Sequence, residues 1–311
     1  MRVAVTGARG RLGRAVVAAL QDAPFTGLAG PIAWDRAAFD LDAPVTIHAL
    51  LDRDRPEAVI HTAAWTDVDG CAREPETARR RNAEAVHVLA EATAARDIDL
   101  VHLSTNEVFD GRRTDGRGYE ADDRTNPINP YGSSKLEGEI LATAAYRGRK
   151  ARLGIVRTAW LYGPPGNDFP SKILAAAERA RTAGEPLRVV ADEFGSPTFT
   201  QDVAEAIVEL LGSGDVGGFH HVVNGGIASR ASWARELFNQ ARLDVEIEEI
   251  PASTWARAST PPAWGVLEAT PLPGGEPLRA WPDALADYLP ALLRQRAAGS
   301  ASSPAASESR S

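Results

Sequence analysis

A chain of 311 residues, 44% hydrophobic and 24% charged, carries enough apolar bulk for one large domain or for a large and a small one. Its net charge of -8 argues against a general nucleic-acid binder, and no apolar run approaches the roughly 20 residues that a membrane span requires. The apolar segment Val3-Ala4-Val5 is broken at once by Gly7 and Arg9, so it reads as neither signal peptide nor anchor, and the single cysteine, Cys71, excludes an internal disulfide and suits a reducing cytoplasm.

Arg2-Val3-Ala4-Val5-Thr6 is a short β-rich run, followed by Gly7-Ala8-Arg9-Gly10-Arg11-Leu12-Gly13 and an apolar-periodic segment through Leu20. Strand, glycine turn and helix in that order make a site for a diphosphate, because glycines admit close backbone approach and the helix start offers free N–H groups. Ile32-Ala33-Trp34-Asp35 reads as the second strand, ending in an acid suited to ribose hydroxyls, with an extra loop over residues 24–31. Asp35 favours NAD, whereas Arg36, Arg9 and Arg11 suit the 2′-phosphate of NADP, so either cofactor fits. Phe39-Asp40-Leu41-Asp42 and a helical segment precede the buried-strand run Ala58-Val59-Ile60-His61-Thr62, which closes on Ala63-Ala64-Trp65. Residues 76–95 read as one long helix whose Arg79-Arg80-Arg81 run forms a solvated face, with Cys71 before it a packed side chain.

Leu100-Val101-His102-Leu103-Ser104 is the next strand, which places Thr105 at a carboxyl-terminal strand end, where open α/β sheets bind ligands. There a hydroxyl can polarise a substrate carbonyl or simply cap a turn. Tyr131 and Lys135 stand four apart on a helix that runs to about residue 145, hence on one face. An ammonium beside a phenol favours the phenolate, which predicts a lowered Tyr131 pKa and a proton carrier for a substrate oxygen. Leu153-Gly154-Ile155-Val156-Arg157 supplies a further strand, leading to Trp160-Leu161-Tyr162-Gly163. Strands alternating with helices imply a Rossmann-type, doubly wound parallel sheet, an α/β fold, over residues 1–163. Beyond Pro164 the pattern loosens, with helices expected at 171–182, 202–211 and 229–241. Residues 164–296 read as a smaller C-terminal, substrate-binding lobe, some of whose segments return to the main domain. Residues 297–311 read as a disordered tail. The histidines are scattered, with His220-His221 on opposite faces of any strand, and no metal site is expected.

Taken in order, T-G-A-R-G-R-L-G, A-A-W-T-D-V-D, S-T-N-E-V-F-D-G, Y-G-S-S-K and R-T-A-W-L-Y-G resemble the extended short-chain dehydrogenase/reductases, and most nearly the dTDP-4-dehydrorhamnose reductase branch, from residue 1 to about 212. The resemblance implies NADPH- or NADH-dependent reduction of the 4-keto group of a nucleotide-activated 6-deoxyhexose, dTDP-4-dehydro-L-rhamnose giving dTDP-L-rhamnose, by a cytoplasmic monomer or homodimer. It assigns Gly7, Gly10, Arg11, Leu12 and Gly13 to the cofactor diphosphate, Asp35 to the ribose, and Asp40 and Leu41 to the adenine. Ala63, Ala64, Trp65 and Leu103 would line the cofactor toward its nicotinamide. Tyr131 and Thr105 would meet the reacting oxygen, Lys135 would hold the nicotinamide ribose and tune Tyr131, and Thr105, Asn106 and Trp160 would contact the sugar nucleotide.

Two departures stand out. Where the branch has S-T-D-Y-V-F, this chain has Asn106 and Glu107, whereas nucleotide-sugar dehydratases of the superfamily carry T-D-E. Asn106 cannot donate a proton as an acid does, which disfavours dehydration, while Glu107 keeps an epimerase or dehydratase reading open. The branch's R-P-x-x-S-x-L stretch has its best counterpart in Pro261-Pro262-Ala263-Trp264-Gly265-Val266-Leu267, which lacks the arginine and the serine. A third reading, a non-catalytic regulatory subunit like one relative of the branch, would not require the Thr105, Tyr131 and Lys135 set.

Overall fold

The computed structural model describes residues 1–301. The chain opens with β1 (Val3–Thr6), α1 (Arg11–Gln21), β2 (Ile32–Trp34), α2 (Ile47–Asp54) and β3 (Ala58–His61). Three helical pieces, α3 (Val68–Arg73), α4 (Pro75–Arg79) and α5 (Ala85–Ala94), lead to β4 (Asp99–Thr105), α6 (Pro130–Tyr146) and β5 (Leu153–Thr158). Then come β6 (Leu161–Tyr162), α7 (Phe169–Ala183), β7 (Leu187–Val190), β8 (Phe194–Gly195), β9 (Thr198–Phe199) and α8 (Thr200–Ser213). The chain continues through β10 (Gly218–His221), β11 (Ala228–Ser229), α9 (Arg230–Ala241), β12 (Ile247–Ile250), β13 (Trp264–Gly265) and α10 (Trp281–Ala301).

Six parallel strands form the main sheet in the order β10-β5-β4-β3-β1-β2. The order reverses between β1 and β3, which opens a crevice beyond their carboxyl ends. Strand periodicity decides what covers each face. Val3 and Val5 point into a core with Leu12, Val16, Val203 and Ile207 of α1 and α8. Ala4, between them, points the other way, into a core with Leu50, Leu51, Leu89 and Tyr146 from α2, α5 and α6. With both faces covered, the strands read as continuous apolar runs. A third core, built on Tyr162, Leu174, Trp233, Leu237 and Leu289, holds α7, α9 and α10 together in the C-terminal half. Residues of α8 and β10 leave that half: α8 packs on α1 and β10 pairs with β5.

Residues 76–95 are not one regular helix. A π turn, Arg80–Glu84, separates α4 from α5, and Gly138 lets α6 lie against it, since a Cβ there would fall 2.5 Å from the Asn82 carbonyl oxygen. Arg79-Arg80-Arg81 is more than a solvated face, because Arg81 binds Asp42 through two nitrogens (2.9 and 2.7 Å) and lies 5.2 Å from the Trp65 ring centre. The expectation that the chain past Arg296 does not fold is corrected for residues 297–301, which continue α10: alanine is the best helix former, and extending an existing helix is cheap. Residues 302–311 lie outside the described residues.

Candidate active site

At the carboxyl end of β1 the chain turns through Gly7 with φ +64°. A Cβ on Gly7 would fall 2.9 Å from the Ala63 backbone, and one on Gly13 would fall 2.2 Å from the Gly7 carbonyl oxygen. Only glycine fits either place. The loop is thus pressed onto the first turn of α1, whose N–H groups lack helical acceptors and favour an anion. A cavity of about 270 Å³ beside it is lined by Gly7, Gly10, Arg9, Arg36, Asp40, Leu41, Ala63, Ala64 and Trp65. Asp35 does not line it. Its carboxylate caps the turn that follows it, accepting the Ala37 and Ala38 N–H groups (3.0 and 3.2 Å), and pairs with Arg9 at 3.0 Å.

A second cavity of about 430 Å³ shares Gly10, Thr62 and Ala64 with the first and brings together Arg11, Leu12, Gly13, Leu103, Thr105, Asn106, Tyr131, Lys135 and Trp160. Every site residue expected from sequence except Asp35 therefore faces one of two adjoining cavities. Arg11 adds a strut: its guanidinium donates to the Gly166 and Asn167 carbonyls, both at 2.9 Å, and ties the glycine loop to the C-terminal half.

The start of α6 explains how Tyr131 arrives. Asn129 caps the helix by accepting the Gly132 N–H at 2.8 Å, Pro130 suits the first turn, and Gly132 leaves room for the Glu107 carbonyl oxygen, which a Cβ would meet at 2.0 Å. One turn on, Lys135 Nζ donates to the Leu103 carbonyl at 2.6 Å. Burial draws the Lys135 pKa down to about 8, against the attraction of Glu139. Burial pushes the Tyr131 phenol above its ordinary value; the charge of Glu107 adds to this and a hydrogen bond with Thr105 opposes it. The expected lowering of Tyr131 by Lys135 is overturned: desolvation is the largest influence on the phenol, and it acts upward. The phenol stays protonated at neutral pH, which is the form a proton donor needs.

Of the two roles foreseen for Thr105, the turn cap is the one the structure displays. Its hydroxyl accepts the Glu107 N–H at 3.2 Å, capping a short 3₁₀ turn, and it faces the cavity beside Tyr131. Asn106 spends its amide on the Gly265 carbonyl at 3.0 Å, so the divergent stretch around Trp264 is joined to the site as strand β13. The Glu107 carboxylate accepts from the Asn129 amide at 2.7 Å, and burial raises its pKa. Trp160 has φ +44°, a strained conformation for a bulky residue. Gly195 makes space for its indole, since a Cβ there would lie 2.5 Å from the ring.

The family model described as RmlD substrate binding domain matches residues 1–294. The chain belongs to the RmlD family. Among relatives of this RmlD-family chain, the dTDP-4-dehydrorhamnose reductase of Mycolicibacterium smegmatis is 38% identical over 241 residues, 76% of this chain and 71% of that protein. The dTDP-4-keto-6-deoxy-D-glucose reductase of Streptomyces niveus is 36% identical over 297 residues, covering 93% and 96% respectively. A crystal structure of a dTDP-4-dehydrorhamnose reductase from Clostridium acetobutylicum superposes with a TM-score of 0.85 at 30% identity, over 94% of this chain and all of that one. The Bacillus anthracis enzyme in complex with NADP gives 0.82 at 29% identity, over 93% and 99% of the two chains. A UDP-glucose 4-epimerase from Thermus thermophilus, at 21% identity and a TM-score of 0.77, shares the fold.

Several residues that shape the RmlD-family site carry no signal in the sequence. Asn82, in the π turn, accepts the Trp65 N–H at 2.8 Å and donates to Ser134 at 3.1 Å, joining the cofactor-side cavity to α6. Glu139 and Arg157 form a buried ion pair at 2.7 Å, beside Lys135. Arg230 enters the second cavity from α9, about 100 residues after Tyr131 in the chain. Each is a polar residue whose importance depends on a partner far away in sequence.

Proposed function

We propose that this RmlD-family chain is an NAD(P)H-dependent oxidoreductase that reduces the 4-keto group of a dTDP-activated 6-deoxyhexose, converting dTDP-4-dehydro-L-rhamnose to dTDP-L-rhamnose. The observation that carries this reading is the convergence of Thr105, Tyr131 and Lys135 in one cavity that adjoins the glycine cradle at α1. The residues fit the cofactor. The glycine turn packed onto the start of α1 suits a diphosphate, with the backbone at Gly10, Arg11 and Leu12 around it; Asp40 and Leu41 suit the adenine; Ala63, Ala64, Trp65 and Leu103 suit the path to the nicotinamide. Asp35, outside the cavity lining and paired with Arg9, does not oppose a 2′-phosphate, and Arg36, which does line the cavity, favours one. NADPH is therefore accepted at least as well as NADH.

Bound there, the reduced nicotinamide supplies the hydride. Tyr131 donates its phenolic proton to the carbonyl oxygen as C4 is reduced, and Thr105 donates a hydrogen bond to the same oxygen as its charge grows. Lys135 holds a positive charge beneath the site, stabilising the phenolate that Tyr131 becomes and holding the nicotinamide ribose. Trp160 and Asn106 position the sugar. A monomer or homodimer acting in the cytoplasm fits the unreactive Cys71, whose thiol burial pushes up to about 12. Purified protein mixed with NADPH or NADH and dTDP-4-dehydro-L-rhamnose should consume the reduced nicotinamide absorbance, and no oxidation with either would overturn the substrate assignment.

One observation supports a second reading. Glu107 is held by Asn129 at the cavity wall with a raised pKa, as an acid–base group of an epimerase or dehydratase would be. Such enzymes recycle a tightly held NAD, so a stoichiometric yield of NAD from denatured protein favours that reading and an empty yield favours the reductase.

A further inference from the structure

Arg230 opens α9 and stands where the active-site cavity meets an outer cavity of about 620 Å³, which Lys172, Arg257 and Ser259 also line. Its guanidinium lies 3.5 Å from the centre of the Trp160 ring and 5.4 Å from that of Phe169. Among the described residues it makes no hydrogen bond and no ion pair; it is half-buried, and desolvation draws its pKa down to about 10 against the attraction of Glu193 and Glu107. A cation held in that state is costly unless something arrives to meet it.

The acids around the outer cavity form no ion pair with it, and each accepts a hydrogen bond elsewhere. Asp69 accepts the Ser259 N–H at 2.9 Å, Asp67 caps α3 through the Gly70 N–H at 3.0 Å, and Glu107 is bound by Asn129. Arg257 is likewise taken, by Glu193. Lys172, in the first turn of α7, has no carboxylate partner among the described residues. Ser259 is 6% exposed, and its hydroxyl oxygen is buried with no hydrogen-bond partner among the described residues. The uncommitted groups at this space are thus a guanidinium and an ammonium, with a buried, unpartnered hydroxyl in the wall behind them. A planar guanidinium with its donors free matches two phosphate oxygens at once.

We propose that Arg230, held on Trp160, receives the diphosphate of the sugar nucleotide, with Lys172 and Ser259 completing the receptor. This rests on the reading that the substrate is a sugar nucleotide, and it assigns to α9 the anion contact that the Pro261–Leu267 stretch, having no arginine, cannot make. Because Arg230 stacks on the residue that positions the sugar, seating the diphosphate also fixes Trp160 beside Thr105 and Tyr131.

The test uses the full chain and titration calorimetry with dTDP, UDP and thymidine, so that no turnover is needed. Arg230→Met should weaken dTDP and UDP binding by about 10- to 100-fold, leaving thymidine and NADPH binding unchanged. Arg230→Lys, which keeps the charge without the fork, should recover part of the loss, and Lys172→Met should cost several-fold. Unchanged dTDP affinity in Arg230→Met overturns the proposal, as does an equal loss for dTDP and thymidine, or a wild type that binds neither dTDP nor UDP. Should Arg230→Met not fold, wild-type affinity in both Arg230→Lys and Lys172→Met overturns it. Wild-type protein that binds dTDP through Arg230 but reduces no keto sugar leaves this assignment standing while the reductase reading falls.

Discussion

Lys135 is a charge the fold pays to keep, and replacing it with methionine should show how much. The side chain is 2% exposed, and its pKa falls from 10.5 to about 8, chiefly by desolvation. That fall means the ammonium costs roughly 3 kcal/mol at pH 7, against roughly 1.5–3 kcal/mol returned by its hydrogen bond to the Leu103 carbonyl. Lys135→Met should therefore fold with a stability at pH 7 equal to wild type or higher by about 1 kcal/mol, despite losing a hydrogen-bonded cation. The sign of the pH dependence is fixed by linkage. Between pH 8 and 10.5 the unfolded chain holds a proton on Lys135 that the folded chain has lost, so wild type gains stability as pH rises through this window. Relative to the variant that gain is roughly 2 kcal/mol between pH 7 and 9.5. Urea unfolding followed by tryptophan fluorescence, run on both proteins at both pH values without nucleotide, measures it. A stability difference that does not change with pH would refute the reasoning, because Lys135 would then carry no depressed pKa. The same variant should bind NADPH at least tenfold more weakly, and its residual activity should lack the fall in rate expected of wild type above about pH 8.

Tyr131→Phe should lower the single-turnover hydride-transfer rate by on the order of 10²–10⁴ with little change in substrate affinity, and Thr105→Val by about 10²; stopped-flow measurement at wild-type rates for Tyr131→Phe would make Glu107 the next candidate for the acid. Gly13→Ala drives a Cβ to 2.2 Å from the Gly7 carbonyl oxygen; the loop must move, and the Kd for NADPH should rise tenfold or more while dTDP binding stays near wild type.

What the sequence determined by itself was whatever depends on neighbours in the chain. The periodic runs at Val3–Thr6, Ala58–His61 and Asp99–Thr105 announce parallel strands, the glycines between Gly7 and Gly13 announce a phosphate turn, and a four-residue spacing puts Tyr131 and Lys135 on one face of α6. The two-residue strands β8, β9, β11 and β13 were not legible, because a strand that short has no alternation to read. Nor was the titration of the site. Spacing alone suggests that Lys135 acidifies Tyr131, but the pKa of each is governed first by how much water the fold removes from it, and that is a tertiary quantity. Arg230 teaches the same lesson. In the sequence it is one arginine after a capping serine; only the packing of α9 against Trp160 places it at the site, where among the described residues it forms no ion pair.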